Sequence, residues 1–231
     1  MIDQILKISL TLIPWEINQM EYINFLNIKT ENIAEKILYR SSSPLKGDSD
    51  KKIIEKLAVE VGIRCIINLD DDYSIIKGLS KDVIWYNKLV NEGNVICLHM
   101  TYTIPGIKSN EKKLKTALQF IINHQGPYLI HCFAGVDRTG FFSALLEALM
   151  GGNLEEICKN YLSAFNFDKG ILSNIEKYSN MKIFLRQLKK MWHGENIVKI
   201  NIQTATERYL LNDIGLTHEE INKIKNLLGN S

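Results

Sequence analysis

The sequence predicts an α/β fold, a sheet flanked by helices, formed by one domain with an appended element. From about residue 50 onward, segments with helical periodicity alternate with short apolar runs. The chain has 231 residues, 45% of them hydrophobic, which is enough to bury one core of good size. In folds of this type the ligand site lies at the carboxyl ends of the strands.

The first part of the alternation contains one helical stretch and three apolar runs. The helical stretch is Asp50 to Val61, and the runs are Ile63 to Leu69, Val83 to Leu89 and Val95 to Met100. The runs have the length and apolar content of strands, and the second contains Trp85 and Tyr86. Helices and strands are therefore interleaved in this region.

A strand, a loop and a helix follow one another in the middle of the chain. An amphipathic helix, Asn110 to His124, precedes them and ends at Gly126-Pro127. The next segment, Tyr128 to Cys132, is short and apolar like a buried strand. After a glycine-containing loop, a helix begins near Thr139 and ends at Gly151-Gly152.

The rest of the chain is predicted to be mainly helical. Helical segments at 154–165 and 172–191 precede a polar stretch, 193–201, and a final helical pair. Thr217 and Glu220 form a capping box for the last helix.

We expect three parts within this single domain. Residues 1–37 form an N-terminal segment that packs on the core, and residues 38–192 form the core itself. Residues 193–231 form a C-terminal helical appendage.

Bulk properties limit the classes of partner. The 28 Lys and Arg residues against 26 Asp and Glu give a net charge of +2, which predicts no nucleic-acid partner. No apolar run is long enough to span a membrane. Residues 1–14 are apolar, but Asp3 interrupts them and no cleavage site follows. We therefore expect a cytoplasmic protein, the alternative being a secreted form whose signal has been removed.

The four cysteines differ in their surroundings. Cys65, Cys97 and Cys158 sit among apolar neighbours, which is typical of small buried side chains. No cysteine lies in a C-x-x-C pair or near a histidine at zinc-ligand spacing, so we expect no metal and no other cofactor. Cys132 stands apart because it ends a predicted strand beside a glycine-containing loop.

The stretch that follows this strand has the composition of an anion-binding loop. It contains His131, Cys132, Phe133, Ala134, Gly135, Val136, Asp137, Arg138, Thr139 and Gly140. If these residues curl between strand and helix, their backbone N–H groups point inward at the helix N-terminus and form a concavity for a tetrahedral dianion. We expect substrate contacts from the loop and first helical turn, at Phe133, Ala134, Gly135, Val136, Thr139 and Gly140.

Three side chains supply chemistry for phosphoryl transfer. The positive helix end stabilises a thiolate on Cys132, and the hydroxyl of Thr139 is a candidate donor to that sulfur. Arg138 offers a planar fork that binds two phosphate oxygens at once. Asp137 is the candidate acid for the leaving group and base for water, the alternative being a helix N-terminal charge or a brace for Arg138.

Other side chains have two interpretations each. His131 either tunes the thiolate or is satisfied by backbone groups, and Arg40 is either a second phosphate ligand or part of a strand-end salt bridge. Phe133, Tyr102 and Trp85 either line a pocket for an aromatic ring or belong to the core, and only Phe133 is favoured by its position.

The loop HCFAGVDRTG resembles the signature of the protein tyrosine phosphatase superfamily, in particular its bacterial branch with an aspartate inside the loop. The resemblance extends to Leu38 to Ser42, similar to that branch's early YRS segment, to Gly126 to Cys132, and to a helical tail beginning at Tyr209. It covers residues from about 38 to 228.

The resemblance implies a cysteine phosphatase fold with a largely parallel sheet, and hydrolysis through phosphocysteine without a metal. It implies Cys132 as nucleophile, Arg138 as phosphate clamp and Asp137 as acid. In other branches the acid comes from a mobile upstream loop, but residues 93–110 contain no Asp or Glu, which favours Asp137.

Two positions depart from the family pattern. Many members have a lysine where this chain has Val136, and the lost charge favours phosphotyrosine or a simple monoester over phosphoinositides. Relatives often have an arginine after the strand, where this chain has Leu69-Asp70, so the resemblance does not carry over the phosphate contact of that arginine.

The sequence thus predicts a phosphoric monoester hydrolase of the protein tyrosine phosphatase type, acting on a phosphotyrosine protein or a small phosphomonoester. One alternative is a phosphoinositide or inositol phosphate phosphatase. A second is a phosphate-binding module without turnover. A third is a sulfur-transfer or arsenate-reducing enzyme, which explains Arg138 and Thr139 less well.

Overall fold

The computed structural model describes residues 23–102, 104–167, 174–197 and 199–229. The predictions for residues 1–14 and for the first two residues of the 172–191 segment lie outside these ranges. Within them, no helix is both long and apolar enough to cross a lipid bilayer.

The described strands form one mostly parallel sheet. They are β1 (Leu26–Asn27), β2 (Leu38–Ser41), β3 (Cys65–Asn68), β4 (Val95–Cys97) and β5 (Tyr128–His131). The order across the sheet is β1-β2-β5-β3-β4, with β1 antiparallel to β2 and all other pairs parallel. The predicted α/β fold is confirmed.

Helices connect the strands and cover both faces of the sheet. The helices of the described ranges are α1 (Asp48–Glu60), α2 (Tyr73–Leu79), α3 (Ile84–Asn91), α4 (Lys108–Asn123), α5 (Asp137–Leu149), α6 (Leu154–Ser163), α7 (Asn174–Met191), α8 (Ile202–Tyr209) and α9 (His218–Leu228). The capping box of Thr217 and Glu220 at the start of α9 is confirmed, with both reciprocal hydrogen bonds formed.

The interpretation of Val83 to Leu89 as a strand-like run was wrong, because Val83 is the N-cap of α3 and residues 84–89 form its beginning. Trp85, Tyr86 and Leu89 are buried at helical spacing, whereas Ile84 is 80% exposed. A short apolar run is compatible with a strand or with one face of a helix, so its length does not distinguish them. Trp85 lies in the core, where its Nε1 donates to the carbonyl of Ile63 at 3.4 Å.

Two hydrophobic clusters, one on each face of the sheet, hold the layers together. Alternation along β5 sends Tyr128 and Ile130 into the larger cluster and Leu129 into the smaller one. The C-terminal helices contribute to the larger cluster, and Trp192 is fully buried there with its Nε1 donating to Thr206 Oγ1 at 3.0 Å. Because α5 is buried along its length between the sheet and these helices, its N-terminus has a fixed position.

Candidate active site

Three neighbouring parallel strands end together at the edge where the site is predicted. Ser41 of β2 and Asn68 of β3 both pair with His131 of β5. Cys132 follows β5, the central strand, and is 3% exposed. Residues that follow the three strands therefore meet around Cys132, in agreement with the rule for the carboxyl edge of α/β sheets.

The loop between β5 and α5 lies tightly against the end of β2. Gly135 has a φ of 72°, and a Cβ at this position would lie 2.4 Å from the carbonyl oxygen of Ser41. Only glycine accommodates both the left-handed backbone and this close approach. The predicted contribution of Gly135 to the curl of the loop therefore has a specific steric basis.

Four consecutive carbonyls of this loop accept hydrogen bonds from groups outside it. The pairs are Ser43 N to Phe133 O at 3.0 Å, Asn24 Nδ2 to Ala134 O at 2.9 Å, Arg40 NH2 to Gly135 O at 2.6 Å, and Arg40 NH2 to Val136 O at 3.4 Å. In the described part of the chain, no backbone N–H of residues 133–137 donates to another group. The outward carbonyls thus leave a set of amide donors for an anion at the start of α5.

Arg40 stabilises this loop from behind. Its side chain is 1% exposed, and its second terminal nitrogen, NH1, donates to the carbonyl of Asn160 at 3.2 Å. Burial lowers the pKa of Arg40, and the nearby carboxyl of Glu147 partly opposes that effect. Both of its terminal nitrogens bond to backbone carbonyls. Among the described residues Arg40 forms no strand-end salt bridge, and its role as a second phosphate ligand stays a prediction.

Arg138 lies in the first turn of α5, 6% exposed, and is held through one nitrogen. NH1 lies 2.8 Å from Asp70 Oδ1, 3.2 Å from the carbonyl of Met100 and 3.4 Å from that of Leu69. Its Nε is buried and has no partner among the described residues. Arg40 also has a buried Nε without a partner, so Arg138 differs in that only its NH1 bonds to described residues, which leaves its other terminal nitrogen for an anion such as phosphate.

Asp70 belongs to a charged cluster that sequence reasoning missed. Its other oxygen, Oδ2, accepts a hydrogen bond from Lys46, whose Nζ also lies 2.8 Å from Asp71 Oδ1. Burial raises the pKa of Asp70, but the bond from Lys46 and the charge of Arg138 outweigh it, and the net shift is downward. The signal in the sequence was the run of aspartates after β3. Sequence reasoning considered this place only as one where the arginine of the relatives is missing.

Asp137 is the first residue of α5 and is half-buried. The hydroxyl of Tyr161, on α6, donates to its Oδ1 at 3.3 Å. The carboxylate that pairs with Arg138 is that of Asp70. The alternative role of Asp137 as a brace for Arg138 is therefore not observed. Asp137 thus lies at the N-terminus of the helix, beside the loop, with one oxygen oriented by Tyr161.

The structure gives His131 a side-chain partner that neither of its two interpretations named, and it leaves the expected hydrogen bond of Thr139 unformed. Burial lowers the pKa of His131 to about 4, so the ring is neutral at neutral pH, and its Nε2 lies 3.1 Å from the hydroxyl of Tyr86. The hydroxyl of Thr139 is buried without a hydrogen-bond partner among the described residues, so the expected bond to the sulfur of Cys132 is not formed.

Two of the three aromatic candidates are exposed, whereas Trp85 is buried in the core. Phe133 is 58% exposed and Tyr102 is 67% exposed. The ring of Tyr102 lies 4.8 Å from Cζ of Arg138, and that of Phe133 lies 5.3 Å from Nζ of Lys46, so both rings flank the site. Val136 is 8% exposed and packs in the core, and its hydrocarbon side chain provides no positive charge beside the site.

Comparison with known proteins gives one family and a distant structural likeness. Residues 25–230 match a family described as the tyrosine phosphatase family. Curated proteins give no match to the chain. Among solved structures, the core catalytic domain of the PP-IP phosphatase SIW14 from S. cerevisiae, in complex with citrate, matches at 18% identity. The match covers 72% of this chain and 90% of that one, with a TM-score of 0.42.

Proposed function

The chain belongs to the tyrosine phosphatase family, and we propose that it hydrolyses phosphomonoesters through a phosphocysteine intermediate, acting on phosphotyrosine or a similar aromatic monoester. The observation that carries this proposal is the loop at residues 133–136, whose four carbonyls are bonded from outside. A loop held in that orientation directs its amides at an anion beside Cys132.

In the first step, the thiolate of Cys132 attacks phosphorus and the ester P–O bond breaks. The loop amides and the fork of Arg138 bind the equatorial oxygens of the transition state, and because they are already oriented they stabilise it without reorganisation. The leaving oxygen takes a proton from the carboxyl of Asp137, which becomes a carboxylate. The product alcohol or phenol then departs.

In the second step, water attacks the phosphorus of the phosphocysteine. The carboxylate of Asp137 takes a proton from that water as the new P–O bond forms and the P–S bond breaks. Inorganic phosphate leaves, and the thiolate of Cys132 and the protonated Asp137 are restored. The bond from Tyr161 orients the carboxyl for both proton transfers.

The rim of the site supports an aromatic monoester. The exposed rings of Phe133 and Tyr102 offer apolar surface to a phenyl group. The cation nearest Phe133, Lys46, is paired with the carboxylates of Asp70 and Asp71. A rim whose charge is neutralised in this way attracts a multiply phosphorylated inositol weakly, because such a ligand needs unpaired cations.

A substrate panel tests this proposal. Phosphotyrosine and phosphoserine peptides, phosphoinositides, inositol phosphates and sugar phosphates are compared, with Cys132→Ser as the inactive control. We expect the highest kcat/KM for phosphotyrosine peptides and no turnover by the variant. A preference for inositol phosphates would contradict the substrate assignment. Phosphate binding without turnover of any substrate would contradict the enzymatic assignment.

A further inference from the structure

The contacts of Arg138 point to a role for two residues on other segments. We propose that Asp70 is a positioning residue that fixes the guanidinium of Arg138, and that Lys46 holds Asp70 in place. The proposal rests on the proposed function, since it assigns to Asp70 the orientation of the phosphate clamp.

The bond between Asp70 and Arg138 is the strongest of the three that NH1 makes. At 2.8 Å it is a charge-assisted contact, whereas the carbonyl contacts of Leu69 and Met100 are longer and neutral. The side chains of Arg138 and Asp70 are only 7% and 12% exposed, so water competes little for this bond. Asp70 therefore sets the direction in which the rest of the guanidinium points.

Asp70 is itself fixed at both ends. Its backbone N–H donates to Asn68 Oδ1 at 2.8 Å, which forms a turn at the end of β3. Its Oδ2 accepts from Lys46, which arrives from the segment after β2. One carboxylate thus bridges two cations from different segments. Burial lowers the pKa of Lys46, but its bonds with Asp70 and Asp71 outweigh that and keep the ammonium charged.

The expected effect is on the rate and not on ground-state binding. The negative charge of Asp70 reduces the attraction of the site for a dianion, so its removal does not weaken phosphate binding through charge. Loss of orientation, in contrast, removes stabilisation that is realised mainly in the transition state. A positioning role therefore predicts a lower kcat with little change in phosphate affinity.

The main experiment compares Asp70→Asn with Asp71→Asn. The Asp71 carboxylate also accepts from Lys46 but has no contact with Arg138, so it is the matched control. We expect Asp70→Asn to lower kcat roughly 10- to 100-fold, as for loss of one hydrogen bond to a charged group. The dissociation constant of inorganic phosphate, measured by calorimetry, should change less than about threefold. Asp71→Asn should change kcat less than about twofold.

Lys46→Met provides a second variant on a partly exposed residue. We expect a decrease in kcat of roughly threefold in the wild-type background and none in the Asp70→Asn background, because Lys46 acts through Asp70. An equal decrease in both backgrounds would mean that Lys46 contacts the substrate directly, and would overturn its assigned role.

A spectroscopic readout separates this proposal from the proposed function. The side-chain ¹⁵N–¹H signal of Arg138, assigned by its loss in Arg138→Lys, should be sharp in the wild type and broadened in Asp70→Asn, even if no substrate is turned over. An unchanged signal in Asp70→Asn would overturn the positioning role. Tighter phosphate binding with unchanged kcat would also overturn it, since Asp70 would then act only as a charge.

Discussion

Arg40 and Arg138 are two buried arginines near the same loop, and they differ in their hydrogen bonds. Both terminal nitrogens of Arg40 donate hydrogen bonds to backbone carbonyls, those of Asn160, Gly135 and Val136. Arg138 is anchored only through NH1, to Asp70 and two carbonyls. Burial and residue type are thus the same, and the number of occupied terminal nitrogens distinguishes Arg40 from Arg138, the proposed phosphate ligand.

The comparison also shows how the loop is made. Carbonyls that turn toward Arg40 leave the amides of the same peptides facing away from Arg40. We therefore expect Arg40 to shape the proposed anion site from behind the loop without contacting the anion. Four predictions test the different roles assigned to the residues around this loop.

Arg138→Ala should have the largest effect and should act on catalysis. We expect kcat to fall by at least about 10³-fold, because the oriented donors of the guanidinium and its charge are lost in the transition state. Steady-state kinetics with p-nitrophenyl phosphate measures the change, and circular dichroism checks the fold. A decrease below tenfold would mean that the loop amides alone carry the phosphate, and the contrast with Arg40 would disappear.

Arg40→Met should act mainly on stability. The substitution keeps the volume of the side chain but leaves buried carbonyls without their donor, and we expect a loss of about 3 kcal/mol in the free energy of unfolding. Urea denaturation measures it, with Arg138→Ala as the matched comparison. Should the variant retain full stability while its phosphate affinity falls, Arg40 would be a ligand after all.

Glu147, a buried carboxyl near Arg40, gives a prediction about how the stability of the fold depends on pH. Burial raises the pKa of this carboxyl to about 7, although the bond from Asn160 and the charge of Arg40 oppose the shift. In the unfolded chain it ionises near the ordinary value of about 4.5, so the folded state binds the proton more tightly.

The stability that this proton contributes is present below about pH 4.5 and is lost as the pH rises through about 7. We expect wild-type stability to fall by up to roughly 3 kcal/mol across that window, and Glu147→Gln to remove most of the fall. Urea denaturation at a series of pH values measures both. Identical profiles for the two proteins would show that Glu147 is ionised beside Arg40 throughout, as in a salt bridge.

Asp137→Asn should give the smallest effect, and one that depends on the substrate. An asparagine cannot donate a carboxyl proton, so we expect roughly a 10- to 30-fold lower kcat for esters with poor leaving groups and about twofold for good ones. Tyr161→Phe, which removes only the hydrogen bond to Asp137, should show the same trend more weakly. Equal small effects on both classes of ester would remove Asp137 from the acid role.

The sequence predicted those parts of the site whose residues are contiguous. The strand, the loop and the helix lie within one short stretch, so local pattern places Cys132 and Arg138 at the same helix end. Asp70 and Lys46 reach Arg138 from the ends of β3 and β2, and no spacing rule connects them to it. The proximity of Asp70 and Lys46 to Arg138 follows from the register of the sheet, which the sequence pattern did not provide.

The direction of the Arg40 side chain and the helical conformation of residues 83–89 were not predicted, for a different reason. The pattern around Arg40 showed a cation near a strand end but not the direction of its side chain, which lies on the face toward the rear of the loop. For residues 83–89 the apolar content was clear, but Ile84 is exposed while Trp85 is buried, a pattern that composition alone does not reveal. Tertiary packing decided both cases.

The residues just before β1 are part of the site's framework. Asn24 is fully buried and donates to the carbonyl of Ala134, while Ile23 accepts two hydrogen bonds from Ser42, one from its backbone and one from its hydroxyl. A polypeptide trimmed to begin at residue 38 would keep every predicted catalytic side chain. It would still lose one of the four hydrogen bonds to the loop carbonyls that orient the loop. Trimming for crystallisation or expression should therefore stop short of Ile23.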